Sequence, residues 1–131
     1  MKKRGILNAQ LSYLLAALGH KDLFMIGHAG MPIPEGVEVV DLVLTAGVPT
    51  FKQVLDAVLD EVQVEGYYLA HEIKEFNPEL EEYIKAGLPE AEVEYMPHED
   101  LKKFSGKCRF AIRTGEFSPY PNVILRAGVV F

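Results

Sequence analysis

Four histidines and one polar loop hold most of the groups in this chain that could move a proton or grip a small polar molecule. They are His20, His28, His71 and His98, and the stretch from Arg113 to Asn122. Imidazole titrates near neutrality, so one histidine can take a proton and return it within one turnover. His20 sits one residue past Gly19, which stops a helical pattern, and just before the apolar run Leu23–Ile26. His28 follows that run in a segment rich in Gly and Pro. In layered α/β folds, functional groups gather in loops at strand ends. Taken singly, the plainer reading of His20 is a surface helix cap and that of His28 an exposed loop residue. His98 opens a short helix, where a capping or packing role is the plainer reading. His71 follows a strand beside Glu72, which suits a structural hydrogen bond.

The polar loop offers more. Arg113, Thr114, Glu116, Ser118, Tyr120 and Asn122 all hydrogen-bond, and Gly115, Pro119 and Pro121 punctuate the loop. Tyr120 and Asn122 supply an aromatic face, a hydroxyl and an amide, the groups a sugar site uses. Glu116 suits a structural role, accepting backbone N–H bonds or pairing with Arg113. The apolar run after Asn122 ends on Phe131, and so greasy a terminus is expected to be held in a core or a subunit contact.

Other chemistries find little support. No two histidines stand at metal-ligand spacing, no CxxC or HExxH pattern occurs, and no metal is implied. Neither a G-x-G-x-x-G nor a Walker loop is present, so a nucleotide cofactor is not expected. The single cysteine, Cys108, excludes an internal disulfide and reads as a structural thiol. A net charge of −6 argues against nucleic-acid binding. No apolar run is long enough to cross a membrane, and Asn8, Gln10 and Ser12 interrupt the one that imitates a signal peptide. A reducing cytoplasm is the expected compartment.

The elements that must position these groups follow from periodicity. Helices are expected over Asn8–Leu18, from the Thr50 cap through Glu61, over Asn77–Ala86 and over Pro97–Phe104. The second should bury Phe51, Val54, Leu55, Val58, Leu59 and Val62. Strands are expected over Leu23–Ile26, Val37–Leu44, Tyr67–Ala70, Ala91–Met96, Arg109–Arg113 and Asn122–Leu125. With 131 residues, this alternation implies a single α/β domain, layered α/β/α, with a mostly parallel or mixed central sheet.

Several segments together carry a family resemblance. They are Lys3–Asn8, Leu18–Asp22, Ala29–Pro34, Glu72–Lys74, His98-Glu99, Arg113–Glu116, Tyr120–Asn122 and Ala127–Val129. In this order, over nearly the whole length, they resemble the ribose/fucose mutarotase family. The resemblance implies a cofactor-free cytoplasmic isomerase that interconverts the pyranose and furanose forms of D-ribose or a similar monosaccharide. It implies a ring-shaped homo-oligomer, typically a decamer of two stacked pentamers, with sites near subunit contacts. Carried over by position, His20 is the general acid/base, and His28, His98, Tyr120, Pro121 and Asn122 bind sugar. Lys102 is a lesser candidate for a hydroxyl contact. A fucose mutarotase and a non-catalytic sugar-binding module are the alternatives.

Two positions depart from the family pattern. His28 stands where an Asp is usual, which is expected to cost His20 an anionic partner. Pro121 stands where Ala is common, which removes a backbone N–H.

Overall fold

Alternation along the strands decides how this chain layers. The computed structural model describes residues Met1–Phe131. In order, its elements are α1 (Ala9–Ala16), β1 (Leu23–Gly27), β2 (Glu38–Asp41), α2 (Phe51–Leu59), β3 (Val64–Ala70), α3 (Ile73–Phe76), α4 (Pro78–Gly87), β4 (Glu92–Met96), α5 (His98–Phe104), β5 (Phe110–Arg113) and β6 (Val123–Ala127). A 3-10 turn, Ser105–Lys107, follows α5. The strands form one six-stranded sheet in the order β2-β5-β1-β6-β3-β4. β5 runs parallel to β1 and β2, β4 runs parallel to β3, and β6 lies antiparallel between β1 and β3. Five strands therefore point one way and β6 alone points back, making the mixed form of the expected sheet.

Successive strand residues face opposite sides of a sheet. Phe24 and Ile26 of β1, Phe110 and Ile112 of β5, and Val123 and Leu125 of β6 face a larger core shared with α1, α2 and α4. One residue out of phase, Met25, Ala111 and Ile124 face a smaller core closed by Leu101 of α5 and by Met31. The result is three layers, one thick and one thin.

Helix α2 shows how the sequence encodes a layer. The Thr50 hydroxyl accepts the Gln53 N–H while Gln53 returns a bond to the Thr50 N–H, a reciprocal cap. Phe51, Val54, Leu55 and Val58 follow at i, i+3, i+4 and i+7 and are buried. Burying each such side chain stabilises by about 1.5–3 kcal/mol. Leu59 and Val62 pack on this core while remaining partly exposed.

Some boundaries differ from the sequence expectation. Asn8 is the N-cap of α1, its Oδ1 accepting the Leu11 N–H at 2.9 Å, and the helix ends before Ala17 rather than at Gly19. Gly19 instead donates its N–H to Asp22 in the connection to β1. β2 is shorter than the apolar pattern of 37–44, and the single turn α3 carries no periodic signal of its own. The apolar tail divides: β6 is buried, but its pairing stops at Ala127, and Val130 and Phe131 stand 86% and 102% exposed. Within one chain the terminus is therefore not held in the core.

Candidate functional site

Strand direction determines which loops can meet. β1, β3, β4 and β5 share one direction, so the residues that follow them emerge at one edge of the sheet. β6 runs the other way, so the residues that precede it arrive at that same edge. His28 follows β1, His98 follows β4, and Tyr120–Asn122 precede β6. These five predicted residues come together. His20 precedes β1 and lies at the opposite edge, with a five-residue strand between them, roughly 17 Å at 3.3 Å per residue.

Asn122 is the anchor of the assembled group. It is fully buried, and its Oδ1 accepts the backbone N–H of His28 at 3.1 Å. Gly27 makes room for it, since a Cβ there would stand 3.0 Å from Asn122 Oδ1. The Gly27 carbonyl accepts both the N–H of Thr114, at 3.0 Å, and its hydroxyl, at 2.8 Å. Arg113 grips Asp41 through two nitrogens, at 3.1 and 2.9 Å, and donates to the Ala29 carbonyl at 2.7 Å. The loop bearing His28 is thus tied to the end of β5. Arg113 pairs with Asp41 and not with Glu116. Glu116 has the expected structural role, accepting the Phe51 N–H at the start of α2 at 3.0 Å.

Tyr120 adopts a positive φ of 53° immediately before Pro121. Both the left-handed region and the pre-proline position are unfavourable for such a residue. The Asn122 N–H donates to the Tyr120 carbonyl at 2.9 Å, closing a tight turn around Pro121. Strain of this kind persists only where its surroundings enforce it, and it clusters at binding sites. Here the Tyr120 ring is fixed between Phe76 at 5.5 Å and His98 at 5.1 Å, edge to face. Asn77 Nδ2 donates to Ser118 Oγ at 3.2 Å and to the Pro119 carbonyl at 2.9 Å, holding the loop from below.

Both imidazoles of this edge are biased toward the neutral form. Burial pushes the His28 pKa below its ordinary value, and the neighbouring His98 ring adds to this. Burial likewise lowers His98, reinforced by Lys102 and opposed by Glu72 and Glu99. His28 Nδ1 accepts the Gly30 N–H at 3.0 Å, so its proton sits on Nε2, which is left as a donor. Glu72 accepts the His98 backbone N–H through both carboxylate oxygens at 3.1 Å. It therefore serves His98 and not His71, whose ring stacks on Tyr95 at 5.9 Å. Lys102 Nζ lies 2.7 Å from Glu99 on the same helix.

Two polar atoms of this group, His98 Nδ1 and Asn122 Nδ2, are buried without a hydrogen-bond partner. Buried polar groups are nearly always paired, and an orphan costs about 1–3 kcal/mol. Both orphans lie in the group that holds Tyr120 and the His28 Nε2–H donor. The group forms no closed cavity: none of the molecule's cavities is lined by His28, His98, Tyr120 or Asn122.

The opposite edge carries its own chemistry. His20 Nε2 lies 2.8 Å from Glu65 Oε2. Despite the expected loss of an anionic partner at position 28, His20 is therefore paired with a carboxylate within its own chain. The carboxylate belongs to Glu65, while the imidazole facing His28 is that of His98. Glu65 went unnoticed because 45 residues separate it from His20 and only the sheet joins them. A polar cavity of about 550 Å³ beside it is lined by Lys21, Glu65, Glu90, Glu92 and Arg126.

Comparison with known proteins agrees with this fold. Residues 1–130 match the model of the RbsD / FucU transport protein family. A D-ribose pyranase of Limosilactobacillus fermentum is 50% identical over 131 residues, covering 100% of both chains. A D-ribose pyranase of Pediococcus pentosaceus is 48% identical with the same coverage. The solved structure of Bacillus subtilis RbsD complexed with D-ribose superimposes with a TM-score of 0.96 at 44% identity, covering 100% of both chains. A fucose mutarotase of Streptococcus pneumoniae in complex with L-fucose shares the fold at a TM-score of 0.76 and 21% identity, covering 95% of each chain.

Proposed function

The chain belongs to the RbsD / FucU family, and from that premise we propose that it interconverts the β-pyranose and β-furanose forms of D-ribose. Full-length relatives at 45–50% identity named D-ribose pyranase support ribose as the substrate. The single observation that carries the reading is the pair of orphaned buried groups, His98 Nδ1 and Asn122 Nδ2, set beside an aromatic face. Sugar hydroxyls satisfy such donors and acceptors, and the Tyr120 ring covers sugar C–H surface.

The chemistry needs one proton shuttle. Ring opening takes the proton from the anomeric hydroxyl, returns one to the ring oxygen as the C1–O5 bond breaks, and leaves an open-chain aldehyde. Reclosure reverses these transfers on a different hydroxyl: O4 attacks C1 and gives up its proton as the aldehyde oxygen takes one to become the new anomeric hydroxyl. An imidazole serves both directions, and general acid–base assistance supplies about 10²–10⁴-fold. We assign that role to His20. His28 Nε2–H, His98, Tyr120, the Pro121 turn and Asn122 hold the sugar. No step calls for a cofactor.

His20 and the binding group lie at opposite sheet edges of one chain. A working site therefore takes His20 from a second copy laid against the binding edge. A closed ring of copies, such as the homodecamer the resemblance implies, repeats that contact around its circumference. Exposed Leu44, Val48 and Phe117 give it apolar surface to bury. Catabolism of free ribose in the cytoplasm is the setting this activity fits.

Saturation-transfer NMR on ribose tests the reading. Wild-type protein should accelerate pyranose–furanose exchange, and His20→Ala should abolish it while the protein stays folded. Binding of ribose with uncatalysed exchange would overturn it.

A further inference from the structure

The contacts of His20 decide which of its nitrogens can work. Its Nε2 is taken up by Glu65 Oε2 at 2.8 Å, leaving Nδ1 without a protein partner. A carboxylate accepts only, so the shared proton lies on Nε2 and the Nδ1 lone pair is free. Glu65 is itself held. Arg126 Nε donates to its Oε1 at 3.0 Å, and Arg126 Nη1 donates to the Tyr68 hydroxyl at 2.9 Å. The far side of the guanidinium lies 3.5 Å from Glu92. Gly66 permits this arrangement: a Cβ there would stand 2.5 Å from Arg126 Nη2. The His20 and Arg126 contacts keep the Glu65 carboxyl below its ordinary range, the His20 hydrogen bond contributing most. The backbone is pinned as well. Lys21 turns through a φ of 71°. Its N–H donates to the Ala127 carbonyl at 2.8 Å, and Ala127 N–H donates to the Asp22 carbonyl at 2.9 Å.

We propose that Glu65, itself aimed by Arg126, is the positioning residue that locks His20 in the Nε2–H tautomer and makes Nδ1 the nitrogen that exchanges protons with the sugar. This rests on the assignment of His20 as the proton-transfer group. A histidine fixed by a second residue is held in one tautomer and one ring orientation, whichever way the proton moves at its other nitrogen.

Glu65→Gln gives a sharp test, because the arrangement dictates how the amide must sit. Arg126 donates, so the amide carbonyl turns to Arg126 and the NH₂ turns to His20. His20 Nε2 must then accept, which forces the proton to Nδ1. Long-range ¹H–¹⁵N spectra of the histidine-labelled assembled protein read this directly. The expected result is an Nε2–H His20 in the wild type and an Nδ1–H His20 in Glu65→Gln. Ribose exchange should fall by about 10–100-fold, part of what acid–base assistance supplies, while ribose affinity stays within about twofold. Glu65→Ala should give mixed tautomers and a similar loss of rate. An Nδ1–H His20 in the wild type, or an unchanged tautomer and rate in both variants, overturns the proposal. Full activity in His20→Ala would instead remove the reading on which it rests.

Discussion

The side chain of Asn122 accepts the backbone N–H of His28 at 3.1 Å, across 94 residues of sequence. One amide thus ties the loop after β1 to the turn before β6, while its other atom, Nδ2, is buried without a partner and in the proposed site is the one that holds sugar.

Asn122→Ala removes both functions at once. Loss of the acceptor leaves the His28 N–H unpaired, a cost of about 1–3 kcal/mol. Denaturant titration should show that loss, and ribose binding followed by NMR should weaken by at least tenfold. Gly27→Ala separates the two effects, since its Cβ would press on Asn122 Oδ1 without deleting the amide. Ribose binding in that variant should also weaken, and unchanged binding in both variants would exclude Asn122 from the sugar site.

A shared site predicts complementation. His20→Ala and Asn122→Ala should each be inactive alone. Unfolding and refolding an equal mixture leaves about one site in four with both residues intact, if each site draws on two copies of a closed ring. Exchange should return to roughly that fraction. A mixture as inactive as its components would place the whole site within one chain.

The two histidines of the binding edge set an acid limit. Their folded pKa values lie below the ordinary 6.5, so below that pH the unfolded chain binds protons that the folded chain refuses. Well above pH 6.5 neither state is charged, and the pair contributes nothing to the pH dependence. As pH falls below 6.5, stability should fall, levelling only once the folded histidines also protonate. Asp41, held low by its Arg113 hydrogen bond, and Glu65, held low by the His20 hydrogen bond and then by Arg126, add a separate loss at more acid pH as they are protonated. Urea unfolding across this range should resolve the first phase, and His28→Gln with His98→Gln should abolish it.

His28→Asp should preserve or raise the exchange rate. An aspartate can accept the Gly30 N–H as the imidazole does, and it replaces a neighbour that disfavours a charge on His98 with one that favours it. NMR titration should show His98 protonating at higher pH than in the wild type. Collapse of exchange in this variant would show that the Nε2–H donor of His28 is required.

Cys108 is buried, and burial alone pushes its thiol up to about 12. Iodoacetamide at pH 8 should leave the native protein unmodified and label it only in denaturant. Rapid labelling of the native protein would contradict the packing of α5 against the sheet.

Much of this was readable in the chain before any coordinates. A short apolar run marked β1, alternation marked β4 and weakly β2, and the Thr50 cap marked α2, because those signals are local. The residues of the binding edge could be named singly, but their convergence depends on strand direction, and that is fixed by long-range pairing. The separation of His20 from His28 was hidden for the same reason: eight residues apart in sequence, they straddle a strand. Glu65 and Arg126 gave no signal, since neither sits in a motif and only the pairing of β6 with both β3 and β1 brings them to His20. The reversal of β6 left no local mark, because an apolar strand reads alike in both directions.

That reversed strand also bears on how the protein is made. β6 alone joins β1 to β3, so until its residues have left the ribosome the sheet exists only as two unconnected halves, β2-β5-β1 and β3-β4. A premature stop at Val123 would discard only the last nine residues and yet leave both halves with a bare apolar edge, prone to pair with other chains. Nascent chains of this protein should therefore be clients of ribosome-bound chaperones until very late in synthesis.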